Sequence, residues 1–279
     1  MGPTAKRKPS NKEAKSAIRP NPSVRRQKER RGIQSADKAA EVLMALVEAG
    51  QAAPLRDLAR AIDMPTSLAH RYLASLMASG LAVQNTVTGL YDLGPSAIRI
   101  GAAALARVDP LRLASEAMPE LVAKTGLTAL LNVLGDRGPT IVRWERSYVP
   151  FVTTLAVGSV LPLTGSASGR VILAFTPDRI RSKLLLLNAS NNDDESPTKL
   201  SERFIQIRKR GFDTADSTVV PGLSAVSTPV LDMQNEAVAS LTLIGSRADL
   251  VQAGSQAVTA LLETTRRVSQ ACGSGLKFS

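Results

Sequence analysis

The sequence predicts an α+β protein of 279 residues in which two folded modules are joined by a helix. Two observations carry that expectation. Between residues 32 and 95, three apolar-periodic runs separated by short breaks are followed by two short β runs. From residue 110 onward, β-branched runs and helical stretches describe an antiparallel sheet with helices segregated to one side.

Ser35 can cap a first helix that runs to about Ala49 and stops at Gly50. Ala39, Val42, Leu43, Leu46 and Val47 form its expected buried stripe. A second helix, from about Pro54 to Ile62, should bury Leu55, Leu58, Ala59 and Ile62. The break Asp63-Met64-Pro65 opens a third helix, about residues 65–79, which ends before Gly80. Leu81–Gln84 and Leu90–Leu93, joined through Asn85–Gly89, read as a hairpin. Three helices with a tight turn between the second and third, closed by a hairpin, describe a winged helix-turn-helix. That arrangement places its third helix in the major groove of double-stranded DNA.

On a helical wheel, Ala69, Tyr72, Leu73 and Leu76 share the core face of the third helix, and Ser67, Arg71, Ala74 and Ala78 the opposite one. The face offered to a groove is therefore small and polar, with one strong charge. Thr66, Ser67, Leu68, His70 and Arg71 are the candidate DNA contacts on this helix. Arg71 can pair with a guanine edge or hold a phosphate. His70 is the single histidine, and it fits a groove-edge hydrogen bonder better than a catalytic base.

Ser96 to Arg107 is an apolar-periodic linker, with Ile98, Ala102 and Leu105 on one face, and the linker segment extends to residue 109. Asp109-Pro110 opens a helix to about Lys124, followed by strands Thr128–Leu134 and Thr140–Glu145 around a Gly135–Gly138 turn. Helices are expected at about 167–176, 177–187 and 198–210. Strands follow at Thr214–Val220, Ala225–Leu231 and Val238–Ile244, then a last helix at about 249–271. The domain spans residues 110–275. Trp144 reads either as a cap on the sheet or as a lid over a ligand, and Cys272 as an ordinary thiol.

The formal charge of +11 is concentrated in residues 1–31, where eleven Lys/Arg face only Glu13 and Glu29. Four prolines and the lack of large apolar residues make this tail a disordered segment by composition. It reads either as an arm that neutralises DNA phosphates, with Arg25, Arg26, Lys28, Arg30 and Arg31 abutting the first helix, or as a solubilising leader. A transit peptide fits less well, because no apolar helical face is present.

Several classes are excluded or disfavoured. No apolar run approaches a membrane span, and the amino terminus lacks the apolar stretch of a secretory signal. One cysteine and one histidine leave no disulfide framework and no His/Cys zinc site. A cytoplasmic protein without cofactor or metal is expected. Gly165-Ser166-Ala167-Ser168-Gly169 has Ala167 where a nucleophile elbow needs serine, no phosphate-binding glycine loop is present, and no Ser/His pair can form. An enzyme is not expected. Nine aromatics, none in the tail, argue against single-strand or RNA recognition.

Several segments together resemble the IclR family of bacterial transcription regulators. They are Gln34–Ala39, Leu58–Ile62 with Met64–Arg71, Gly89–Gly94, Leu161–Leu163 with Ser168–Phe175, Arg208–Phe212, and Pro221-Gly222 with Pro229-Val230. The resemblance implies a GAF-like carboxy-terminal domain that binds a small-molecule effector. It further implies effector contacts at Leu161, Ala167, Ser168, Ala215, Ala225, Thr242 and Ile244. Ala215, Ala225, Ile244 and Thr164 stand where the family often carries polar groups, so a larger ligand with an apolar or aromatic body is expected, oriented by Ser168 and Thr242. A homodimer or homotetramer on a palindromic operator follows. The alternative is a tail-driven, non-specific nucleic-acid-binding protein whose effector domain is degenerate.

Overall fold

The computed structural model describes residues 33–149, 153–188, 196–246 and 254–278, with Gly2, Leu250 and Gln252. The backbone divides into two units, Met1–Ile100 and Gly101–Ser279.

In the first unit, α1 (Gln34–Ala49) starts before Ser35, and Ile33 occupies its N-cap without a side-chain hydrogen bond. The Ser35 cap is therefore not formed. Gly50, in the left-handed region at φ 65°, ends the helix as expected. Val42, Ala45 and Leu46 face inward, whereas Val47 is half exposed, because one residue past Leu46 turns about 100° off the stripe. Helices α2 (Leu55–Ala61) and α3 (Thr66–Ala78) meet across a turn in which Asp63 adopts φ 48°, a conformation that aspartate tolerates better than most residues. Leu58, Ala69, Leu73 and Leu76 complete the core with Val42 and Leu46. Fully burying such a side chain contributes about 1.5–3 kcal/mol.

Strands β1 (Ala82–Gln84) and β2 (Tyr91–Leu93) pair antiparallel, and Tyr91 also bridges to Ala53, so the hairpin is sewn to the loop ahead of α2. A Cβ on Gly94 would collide with the carbonyl of Gly80, which brings the hairpin's exit against the end of α3. Helix α4 (Pro95–Leu105) buries none of its residues and ends short of the expected Arg107.

In the second unit, α5 (Pro110–Thr125) is capped by Asp109, whose Oδ1 accepts from the amides of Leu111 and Arg112 at 3.1 and 3.0 Å. Strands β3 (Thr128–Gly135) and β4 (Gly138–Glu145) lead to helices α6 (Ala167–Ala174), α7 (Asp178–Asn188) and α8 (Pro197–Arg210). Strands β5 (Asp213–Asp216), β6 (Ser224–Leu231) and β7 (Ala237–Gly245) and helix α9 (Gln256–Ala271) complete the chain. The five strands form one antiparallel sheet in the order β4-β3-β7-β6-β5.

The helices cover both faces of this sheet, which corrects the expectation of one-sided helices. Ala129, Leu131, Val226, Leu241 and Leu243 pack with α5 and α9, while α6 lies against the alternate residues of β5, β6 and β7. The strands read almost continuously apolar, as strands covered on two sides do. β5 stops four residues short of the expected Val220 because Ser217 turns at φ 54°, and its amide donates to Leu223 as the chain reverses into β6. α9 begins at Gln256 instead of 249, where Ser255 caps it.

Candidate functional site

On α3, Thr66, Ser67, His70, Arg71 and Ala74 are exposed, and Leu68 is half-buried against the core. The helical period thus separates a packed face from a small polar face bearing Arg71. Among the described residues, no carboxylate pairs with Arg71. Its guanidinium is available to an external acceptor. The hairpin turn is held by Asn85, whose Oδ1 accepts from the amides of Val87 and Thr88 at 2.9 Å each, and it presents Val87 to solvent without any charge. Two cations that the sequence pattern did not single out, Arg56 and Arg60, stand exposed on α2, sharing Asp57 at 3.5 and 3.6 Å. Arg30 and Arg31 lie outside the described residues.

The second candidate site lies on the α6-facing side of the sheet. Ala215, Ala225 and Ile244 are register partners across β5, β6 and β7, so they form one row. Leu161 and Ile244 pack with Leu130 and Ile141, and Trp144, Leu155, Val219 and Ala225 close around them. A hollow of about 30 Å³ opens among Leu155, Ala215, Val219, Leu223, Ala225 and Ile244. Small-molecule pockets span roughly 300–1,000 Å³, so the hollow as it stands is too small to enclose one.

Ala167 and Ser168 are buried at the start of α6. Ser166 caps that helix by accepting from the Gly169 amide, and its hydroxyl lies 3.2 Å from that of Ser168. A Cβ on Gly169 would collide with the Leu163 carbonyl, so the glycine lets the 161–166 loop fold onto the helix start. Thr242, buried on the same sheet face, has its hydroxyl hydrogen committed within the sheet. It accepts from Asn132 Nδ2 at 3.0 Å and donates to Ser227 Oγ at 2.9 Å.

An ion cluster anchors this side. Asp213, fully buried, accepts from Arg170 at 2.6 Å, Arg210 at 2.7 Å and Arg203 at 3.1 Å. Arg170 also donates to the carbonyls of Thr164 and Thr214, tying the loop before α6 to β5. Sequence reasoning missed this cluster and also Asn132. The one legible signal for Asn132 was a lone amide in the apolar run Ala129–Leu134. Elsewhere, burial pushes the Cys272 thiol up, and the carboxylates of Asp232 and Asp109 add to the shift. Among the described residues, no group of His, Cys, Asp and Glu could hold a metal ion, and no helix is long and apolar enough to cross a membrane.

Comparison with known proteins converges on one family. Residues 35–86 match the IclR helix-turn-helix domain, and residues 102–270 match the carboxy-terminal domain of the bacterial transcriptional regulator IclR. The crystal structure of Pseudomonas aeruginosa HmgR is 36% identical in sequence and superposes with a TM-score of 0.78, covering 88% of this chain and 100% of that one. The glycerol operon regulatory protein of Streptomyces griseus is 29% identical over 88% of this chain and 98% of its own length. The HTH-type transcriptional regulator BhcR of Paracoccus denitrificans is 26% identical over 85% of this chain and 87% of its own.

Proposed function

This chain belongs to the IclR family of bacterial transcriptional regulators, and from that premise we propose how its residues divide the work of a ligand-responsive, sequence-specific DNA-binding protein. The supporting observation is the two-faced α3, whose core face is sealed and whose outer face offers Thr66, Ser67, His70 and an unpaired Arg71. In the major groove, Arg71 donates two hydrogen bonds to a guanine edge while Thr66, Ser67 and His70 contact neighbouring base edges or phosphates, with Leu68 supporting them from the core. Arg56 and Arg60 on α2, the helix that crosses the backbone in this motif, and Arg30 and Arg31 in the tail meet phosphates.

The protein works as a homodimer or homotetramer in the cytoplasm. Two copies of α3 read half-sites about 34 Å apart, and α4, with Ile98 and Ile100 exposed, is the first contact between subunits. Sedimentation as a monomer at micromolar concentration would remove this assembly. A small molecule with an apolar or aromatic body binds the α6-facing side of the sheet, among Leu161, Ala167, Ser168, Ala215, Ala225, Thr242 and Ile244. It acts by binding one arrangement of the two DNA-reading heads more tightly than the other. No step of catalysis is assigned to the chain, whose relatives are regulators. The tail-driven alternative loses ground because the matched helix-turn-helix starts at residue 35, beyond the tail.

The test is Arg71→Ala in the full chain, titrated on DNA from upstream of its own gene and on a scrambled duplex. The expected loss is about 1–3 kcal/mol on the operator and little on the scramble. Equal losses on both would reassign Arg71 to a phosphate.

A further inference from the structure

On the sheet face that lines the candidate effector site, two buried polar atoms have no hydrogen-bond partner among the described residues: Asn132 Oδ1 and Trp144 Nε1. Leu130 and Trp144 are register partners on β3 and β4, and Asn132 follows Leu130 by two residues, so both groups flank the cluster of Leu130, Ile141, Leu161 and Ile244. We propose that Asn132 is the specificity-determining acceptor of the effector site, taking a hydroxyl or N–H donor from a ring-sized, apolar-bodied ligand whose other end accepts from Trp144. This rests on the effector reading above and narrows it to a chemical class.

The direction of the amide follows from a chain of hydroxyls. Ser227 Oγ donates to the Leu241 carbonyl, which can only accept. Thr242 Oγ1 spends its single hydrogen on Ser227. Thr242 can then only accept from Asn132, so Nδ2 faces it, with Ser240 Oγ as a second acceptor at 3.3 Å. The carbonyl oxygen is left over, and Asn132 is 0% exposed, so bulk water does not reach it. A buried acceptor without a donor is costly, and a ligand that supplies one recovers that cost, whereas an analogue lacking it does not. Trp144 offers the opposite polarity, since an indole N–H only donates. The two groups lie on neighbouring strands of one sheet face, offset along the strands by the two residues from Leu130 to Asn132 and by the bulge between Leu131 and Asn132.

The probes are 4-methoxyphenol, with a donor at one end and an ether acceptor at the other, and 1,4-dimethoxybenzene, in which a methyl ether replaces the donor hydroxyl. Calorimetry on the full chain gives both affinities. Emission of Trp144, the single tryptophan, gives a second reading at the site itself. The unmodified protein should bind the phenol at least about tenfold more tightly than the diether, the worth of one satisfied buried hydrogen bond. Asn132→Leu should erase that preference, and Trp144→Phe should weaken both probes alike. Equal affinities in the unmodified protein, or a preference that survives in Asn132→Leu, would overturn the role of Asn132 while leaving the site as a ligand pocket. No heat and no change in Trp144 emission with either probe would count against the assignment of Asn132. If a broad effector screen read on operator DNA were silent as well, the effector reading itself would fall. The comparison on unmodified protein does not depend on any variant folding.

Discussion

Replacing Asp213 with Asn removes the one carboxylate on which three guanidinium groups converge. The side chain of Arg170 is only 5% exposed, so the change takes a fully buried carboxylate from a buried cation; Arg203 and Arg210, at 28% and 36%, retain solvent. Breaking a buried pair by removing one partner costs about 3–5 kcal/mol. The carbonyls of Thr164 and Thr214 still accept from Arg170, which places the expectation near the lower end, about 3 kcal/mol. For a unit the size of Gly101–Ser279, each kcal/mol lowers Tm by about 2–4 °C, so a drop of about 6–12 °C is expected. Urea unfolding followed by circular dichroism should show a lower midpoint with an unchanged slope. Combining Asp213→Asn with Arg170→Met should cost less than the sum of the two single changes, by at least about 1 kcal/mol. A loss under about 1 kcal/mol for Asp213→Asn would show that the cluster behaves as a surface ion pair, and the reasoning from burial would be wrong.

Gly169→Ala should lower stability by about 1–3 kcal/mol, because its Cβ meets the Leu163 carbonyl and not a flexible side chain; unchanged Tm and ligand response would disprove the close approach. Deleting residues 1–31 should reduce the slope of log K against log salt by about 4–5 if the five bases from Arg25 to Arg31 each neutralise a phosphate, while operator preference over scrambled DNA survives. A lost preference would move sequence reading into the tail. Cys272 is buried and its thiol pushed up, so at neutral pH it should resist maleimide until the unit unfolds. Because the folded thiol ionises later than the unfolded one, its contribution is intact at neutral pH and falls as pH rises past the ordinary thiol value. Rapid labelling of native protein would contradict the burial.

Features written in local periodicity are legible in the amino-acid sequence. The core and outer faces of α3 follow from 3.6 residues per turn, and Gly50 and Asp109 terminate and start helices through their own backbone and side chain. Capping is less secure: Ser35 has the right chemistry, yet the N-cap lies two residues earlier, at Ile33.

Face and register are not legible there, because they depend on pairings between distant residues. Apolar runs such as Ala129–Leu134 do not say which residues meet α5 and which meet α6, since both faces are covered. Pairing of β3 with β7 decides it, and a slip of one residue would exchange the two sets. The same pairing turns Thr242, a reasonable ligand contact by sequence, into the partner of an amide 110 positions earlier, and leaves that amide's oxygen over. The Asp213 cluster likewise exists only because α6, α8 and β5 converge. Family, order of elements and the exposed polar face of α3 are carried by the order of residues along the chain, because they rest on short motifs and on neighbours three or four residues apart. Which polar groups the α6-facing side of the sheet keeps unpaired emerges only on folding, because hydrogen bonds across a sheet are settled by register and not by residue type.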